Sequence, residues 1–270
     1  MMKRLSKFLI ITLTVTLVLF GDHLDAFAGS VPKDMILIPE GEFKKGSSPE
    51  DIRKLKKIFG ERELYKNYPF DQEIPVKVVF LKAFYIDRHE VTNEEYARFI
   101  KDTNYPAPMN WEFGKFPQGK GNFPVLYVSS TDAMKYASWA GKRLPTEDEW
   151  EKASRGTDGR VYPWGNSFDP YKSVTAESDL KFLAGALCEL GTANKVELAP
   201  GDVSPFGVHD MAGNVREWTA TTDSADEDNA VVKGGAWVDL SINARSAHRE
   251  VLPLWSVSHI VGFRCVKDVE

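Results

Sequence analysis

Apolar and polar positions change rhythm several times along the chain, and each change marks a predicted element. Met35-Ile36-Leu37-Ile38-Pro39 is a short apolar run closed by proline and predicts a strand, with Glu40-Gly41-Glu42-Phe43 as its turn and return. Ser48-Pro49-Glu50-Asp51 then offers a capping hydroxyl, a proline for the first turn and acids for the positive end of the helix dipole. Ile52, Leu55, Ile58 and Phe59 follow at helical spacing. The pattern predicts an amphipathic helix packed on its own domain; a partner-binding helix is the other reading of the same face. Residues 76–80 and 84–86 read as strands.

Three capping signals follow. Thr92 with Glu95 forms a capping box for a helix presenting Tyr96, Phe99 and Ile100. A second helix is predicted to start near Thr131 or Asp132 and to run through Met134, Tyr136 and Trp139 to Gly141. Thr146 with Glu149 opens a third, which carries Trp150. Beyond Gly156 regular patterning fades, and 223–228 is acidic and reads as a solvated loop. The stretch 206–218, Phe-Gly-Val-His-Asp-Met-Ala-Gly-Asn-Val-Arg-Glu-Trp, packs turn-formers and carboxylates between aromatic ends and predicts an irregular hub. No internal repeat or linker is visible, so the pattern predicts one domain.

The chain begins with Lys3, Arg4 and Lys7, an apolar run over 8–20, and Ala26-Phe27-Ala28. Basic flank, short apolar core and small-residue site predict a signal peptide over 1–28, cleaved after Ala28, leaving 29–270 as the mature domain and no membrane span. Localisation is then secreted or periplasmic. The formal net charge of −5, with no basic stripe, disfavours nucleic acid as a partner. Cys188 and Cys265 are the only cysteines, which leaves open one disulfide or two free thiols. Bulk for the core comes instead from aromatic packing, with seven Trp and nine Tyr.

Taken in order, several short motifs resemble the formylglycine-generating enzyme, or sulfatase-modifying factor, family. They are Phe84-Tyr85-Ile86-Asp87 with Glu90-Val91-Thr92-Asn93, Trp139-Ala140-Gly141-Lys142-Arg143-Leu144-Pro145-Thr146-Glu147, and Gly213-Asn214 with Glu217-Trp218. Gly234-Gly235 and Gly262-Phe263-Arg264-Cys265 complete the set. The resemblance implies a single α+β domain with much irregular backbone, related to the C-type-lectin fold. It also implies an active site in which two thiolates hold copper, a soft-ligand arrangement suited to Cu(I). Here the first thiolate position is Asp239 and the second falls near Ala244, while a family serine is Ala236 and a family asparagine is Ile260. Copper is therefore not expected. Cys265 matches a family cysteine whose usual partner position is Ala137.

The family's calcium site implies ligation by the carbonyls of Ala212, Gly213 and Val215 and by the Glu217 side chain, an all-oxygen set suited to a hard cation. Glu217 pairing with an arginine, or capping a turn, is the competing reading. The family's second calcium site is not recognisable around 187–189. His89, His209, His248 and His259 lack zinc spacing, and the arginines flanking His248, Arg245 and Arg249, suit either an anionic partner or core acids. Together these features point to an exported protein with the family fold but without its copper chemistry, serving as a binding, accessory or assembly subunit for another exported protein. The alternative is a cysteine-independent periplasmic maturation enzyme, with Asp239 as general base and His248, Arg245 and Arg249 lining a remodelled pocket.

Overall fold

A computed structural model of the chain describes residues 31–59, 68–178 and 192–270. The expected signal peptide, Cys188 and the 187–189 segment lie outside the described residues. Strand β1 (Met35–Ile38) does not make the predicted hairpin with β2 (Gly41–Lys45). It pairs antiparallel with β4 (Phe84–Asp87), and β9 (Val266–Asp268) flanks β4 on its other side. β2 pairs instead with β3 (Lys77–Leu81) in a separate two-stranded sheet. Two features divert the chain. Pro39 has no N–H for a ladder, and Gly41 turns the backbone at φ +134°. The corner is held from a distance in sequence by Lys152, whose ammonium donates to the carbonyls of Pro39 (2.7 Å) and Gly41 (2.9 Å).

The helices follow their capping chemistry closely. α1 (Pro49–Phe59) buries Ile52, Leu55 and Phe59 but leaves Ile58 67% exposed, so the buried stripe is narrower than the apolar pattern. α2 (Asn93–Thr103) carries the full Thr92–Glu95 capping box. α3 (Ser130–Trp139) starts slightly before the predicted point, because Ser129 supplies the cap and Asp132 closes the box. Its buried face is Ala133, Tyr136 and Ala137, while Met134 and Trp139 remain partly exposed. α4 (Glu147–Arg155) is capped by Thr146 with Glu149 as expected.

The predicted loss of regularity after Gly156 ends at residue 215. From there β5 (Arg216–Thr222), β6 (Asn229–Lys233), β7 (Glu250–Pro253) and β8 (Val261–Gly262) form a sheet in the order β7-β6-β5-β8. The β5–β8 pair is parallel, and its residues lie 45 positions apart in register (Arg216 facing Val261). Strands of this length paired over such distances leave little period-2 signal. The acidic 223–228 segment is the connection between β5 and β6.

Two apolar clusters position the hub between them. In the first, Tyr96 stacks on Tyr136 at 5.6 Å, Phe263 meets both edge-on, and Trp218 is fully buried with its indole N–H donated to the Val128 carbonyl. In the second, Ile38, Phe84, Ile86 and Val266 from the three-stranded sheet meet Trp150 of α4 and Val208 and Met211 of the hub. Residues 31–270 cluster as one unit, and no described helix is long and apolar enough to cross a membrane.

Candidate functional site

The hub owes its path to residues that tolerate a left-handed backbone. Gly213 has φ +123°, and a Cβ there would lie 2.4 Å from the Val174 carbonyl oxygen, so only glycine fits. Asn214 follows at φ +59°, donates its backbone N–H to that same carbonyl, and donates its side-chain amide to Glu90 at 3.0 Å. β5 then carries Glu217 inward, fully buried. Both Glu217 oxygens accept from Arg264, at 2.7 Å each, and Oε2 also accepts the Trp150 indole N–H at 2.8 Å. The remaining Arg264 N–H groups donate to the carbonyls of Asp87, Arg88 and Asp210. Burial works against the Arg264 charge, but Glu217, Glu90 and Asp210 outweigh it and raise its pKa.

That arrangement decides between the two readings of Glu217: it pairs with an arginine. The calcium ligands expected at Ala212, Gly213, Val215 and Glu217 do not fit a cation here, because their one charged donor is saturated by a guanidinium whose positive charge would repel the ion. Around the same arginine lie carboxylates that sequence reasoning did not single out. Glu90 Oε2 and Asp202 Oδ1 are buried without a hydrogen-bond partner. Burial, then the Asp210 charge, pushes both groups well above the ordinary carboxylate range, and burial pushes Asp210 up to about 6. Glu90 sits within a recognised motif, which was a usable signal; Asp202 had none.

The position expected for the copper thiolates is equally committed to structure. Asp239 accepts two hydrogen bonds from Arg216 (2.8 and 2.7 Å) and one from the Ala236 N–H (2.8 Å), and Arg216 also binds Glu250 at 2.8 Å. A carboxylate clamped by a bidentate guanidinium is a hard, neutralised donor and does not fit Cu(I). Ala244 is fully buried against Tyr162 and Ala212. The half-buried Ile260 packs beside the aromatic cluster and accepts the Arg216 backbone N–H. Cys265 is a buried free thiol whose pKa burial and the Asp87 charge push upward, so it offers no reactive thiolate.

The arginines expected to line a remodelled pocket are paired with core acids. Arg245 is buried and grips Glu73 at 2.6 and 2.8 Å. Arg249 binds Glu147 at 3.0 Å and lies 3.8 Å from Asp223. His248 is 7% exposed and hydrogen-bonds through Nδ1 to the Tyr68 hydroxyl. Burial first, then the charges of Arg245, Lys233, Arg216 and Arg249, lower its pKa well below the usual histidine value. Asp239, the general base of the alternative reading, and His248 are each hydrogen-bonded and largely buried. The dense ion pairing also covers α4, where Glu151 bridges Arg155 (2.8 Å) and the fully buried Lys233 (3.1 Å).

Three outcomes follow from the site. Glu217→Gln leaves a buried guanidinium unpaired and destabilises the protein by about 3–5 kcal/mol, measured by urea unfolding. Addition of calcium, or of EDTA, leaves the melting temperature within about 1 °C, since ligand binding to the native state alone would raise it. The His248 ring resonances stay in the neutral form as pH falls through about 6.5, the range in which an unperturbed imidazole titrates. Because His248 must charge on unfolding, its contribution to stability is present above that value and is lost as pH falls toward its lowered folded pKa.

Comparison with known proteins agrees with this fold and with the divergence of the site. The family model described as sulfatase-modifying factor enzyme 1-like domain matches residues 24–269. The chain is 31% identical to the inactive Cα-formylglycine-generating enzyme 2 of Bos taurus, over 94% of this chain and 94% of that protein. It is 33% identical to the formylglycine-generating enzyme of Thermomonospora curvata, over 73% of this chain and 74% of that protein. Among solved structures, PvdO from Pseudomonas aeruginosa superposes with a TM-score of 0.68 at 21% identity, covering 87% of this chain and 94% of that one. Treponema denticola variable protein 1 does so with a TM-score of 0.64 at 17% identity, over 87% and 94% respectively. The fold is thus the α+β, C-type-lectin-like fold of these proteins, and the chain belongs to the sulfatase-modifying factor, or formylglycine-generating enzyme, family.

Proposed function

We propose that the chain is an exported, non-catalytic member of its family that serves as a binding, accessory or assembly subunit for another exported protein. One observation carries the reading: where the family's copper thiolates belong, this chain has Asp239 clamped by Arg216 and Ala244 sealed in an apolar cluster. No pair of soft donors remains to hold Cu(I). Similarity over nearly the full length to a protein named as an inactive enzyme supports the same reading. The basic and apolar opening residues support export. A cysteine-independent maturation enzyme is less favoured, because its base and its histidine are both engaged in structural hydrogen bonds.

The mature protein, supplied with copper and a sulfatase-derived cysteine peptide, is expected to consume no oxygen above the peptide-free control in an oxygen-electrode assay. Affinity purification from the native soluble and membrane fractions is expected to recover a stoichiometric protein partner. Copper-dependent oxygen uptake, or recovery of the protein alone with a bound small molecule, would replace this reading with an enzymatic one.

A further inference from the structure

The β2–β3 sheet carries the most unusual surface among the described residues. Among the described residues it has two strands and β3 pairs with β2 alone, so β3 presents an open backbone edge to them. Its inner face is buried through Phe43. Its outer face is apolar along β3: Val78 is 64% and Phe80 60% exposed, and Val76, just before the strand, points the same way by the two-residue period and is 40% exposed. Across the pair, Val78 faces Lys44 and Phe80 faces Glu42. At the Val76 end this stripe runs into a cavity of about 570 Å³. The cavity lies between the hairpin, Leu55 and the exposed Ile58 of α1, and the turn at 158–160, where the Lys44 stem packs on Gly159.

Charge sets this face apart from the rest of an acidic chain. The hairpin with its flanks, 40–45 and 76–82, carries four lysines against two glutamates, and of these lysines Lys45 is paired with Glu147 and Asp148. α1 carries Arg53, Lys54, Lys56 and Lys57 against Glu50 and Asp51. A chain of net charge −5 thus gathers basic residues around an exposed apolar stripe. Lysines on an open edge repel another lysine-bearing strand but attract an acidic one.

We propose that this face docks an extended segment of the partner protein, in which acidic and apolar side chains alternate. The segment adds a strand to the free edge of β3. Its backbone satisfies the open edge, one set of its side chains covers Val76, Val78 and Phe80 and reaches the cavity, and the other set meets the exposed Lys77 on the opposite face. A concave cavity beside a strand edge favours a polypeptide over a flat lipid surface. The inference rests on the reading of the chain as a binding subunit and locates where that binding occurs.

The test uses the mature chain and a capped, fluorescein-labelled decapeptide alternating valine with glutamate, read by anisotropy. Binding is expected, with amides of 77–81 gaining protection from hydrogen exchange. The same peptide with lysine for glutamate should bind at least about tenfold more weakly, a difference of about 1.4 kcal/mol. The double variant Val78→Glu, Phe80→Glu should lose binding while keeping the wild-type melting temperature, since both side chains face solvent. Absence of binding, equal binding of the two peptides, or full binding by the double variant overturns the face. So does preferential binding to phosphatidylglycerol vesicles, or self-association abolished by the double variant. A partner that still co-purifies with the double variant would overturn the docking face alone and leave the proposed function standing, whereas failure to recover any partner with the wild-type chain would remove the function itself.

Discussion

The buried Arg264–Glu217 pair is the constraint on which the rest of the structure depends. Glu217 comes from β5 and Arg264 from the chain between β8 and β9, so the pair ties the four-stranded sheet to the three-stranded one. Its remaining contacts reach further: Trp150 brings in α4, the Asp87 and Arg88 carbonyls bring in the end of β4, and the Asp210 carbonyl brings in the hub. A charge pair taken out of water repays its desolvation only when every lone pair and proton is engaged. Here that requirement acts as a device for registration, since the hub leading into β5, the end of β4 and the chain after β8 must arrive together before the guanidinium is satisfied. The carboxylates of Glu90, Asp202 and Asp210 crowd the same arginine, and burial pushes all three above the ordinary carboxylate range.

A similar economy of charge holds the residues at and around the positions of the family's thiolates. Asp239 holds Arg216, Arg245 holds Glu73, and Arg249 holds Glu147. Each polar residue that a pocket would need is spent on a neighbour, and His248 is kept neutral by burial and by the arginines around it.

The α1 and β2–β3 region is basic and apolar on an otherwise acidic chain, and it holds an open strand edge beside a cavity. Such a combination is unfavourable in an isolated monomer unless something covers it, because exposed edges and apolar stripes promote association.

Local chemistry made the helices legible. The caps at Thr92 and Thr146 need only residues within one turn, and both form as the pattern required. The missing thiolates at Asp239 and Ala244, and the family fold, were likewise readable from ordered motifs. What tertiary structure decided was everything that depends on partners far along the chain. The departure of β2 from β1 depends on Lys152, and the fate of Glu217 depends on Arg264, 47 positions away. α4 shows the limit best. Its sequence, Glu-Asp-Glu-Trp-Glu-Lys-Ala-Ser-Arg, is mostly charged around one tryptophan, yet Glu147, Glu149, Glu151, Lys152 and Arg155 are all buried with it. A charged side chain is buried or exposed according to whether an opposite charge or a set of backbone acceptors is waiting, and that is a property of the fold as a whole, not of any stretch of sequence.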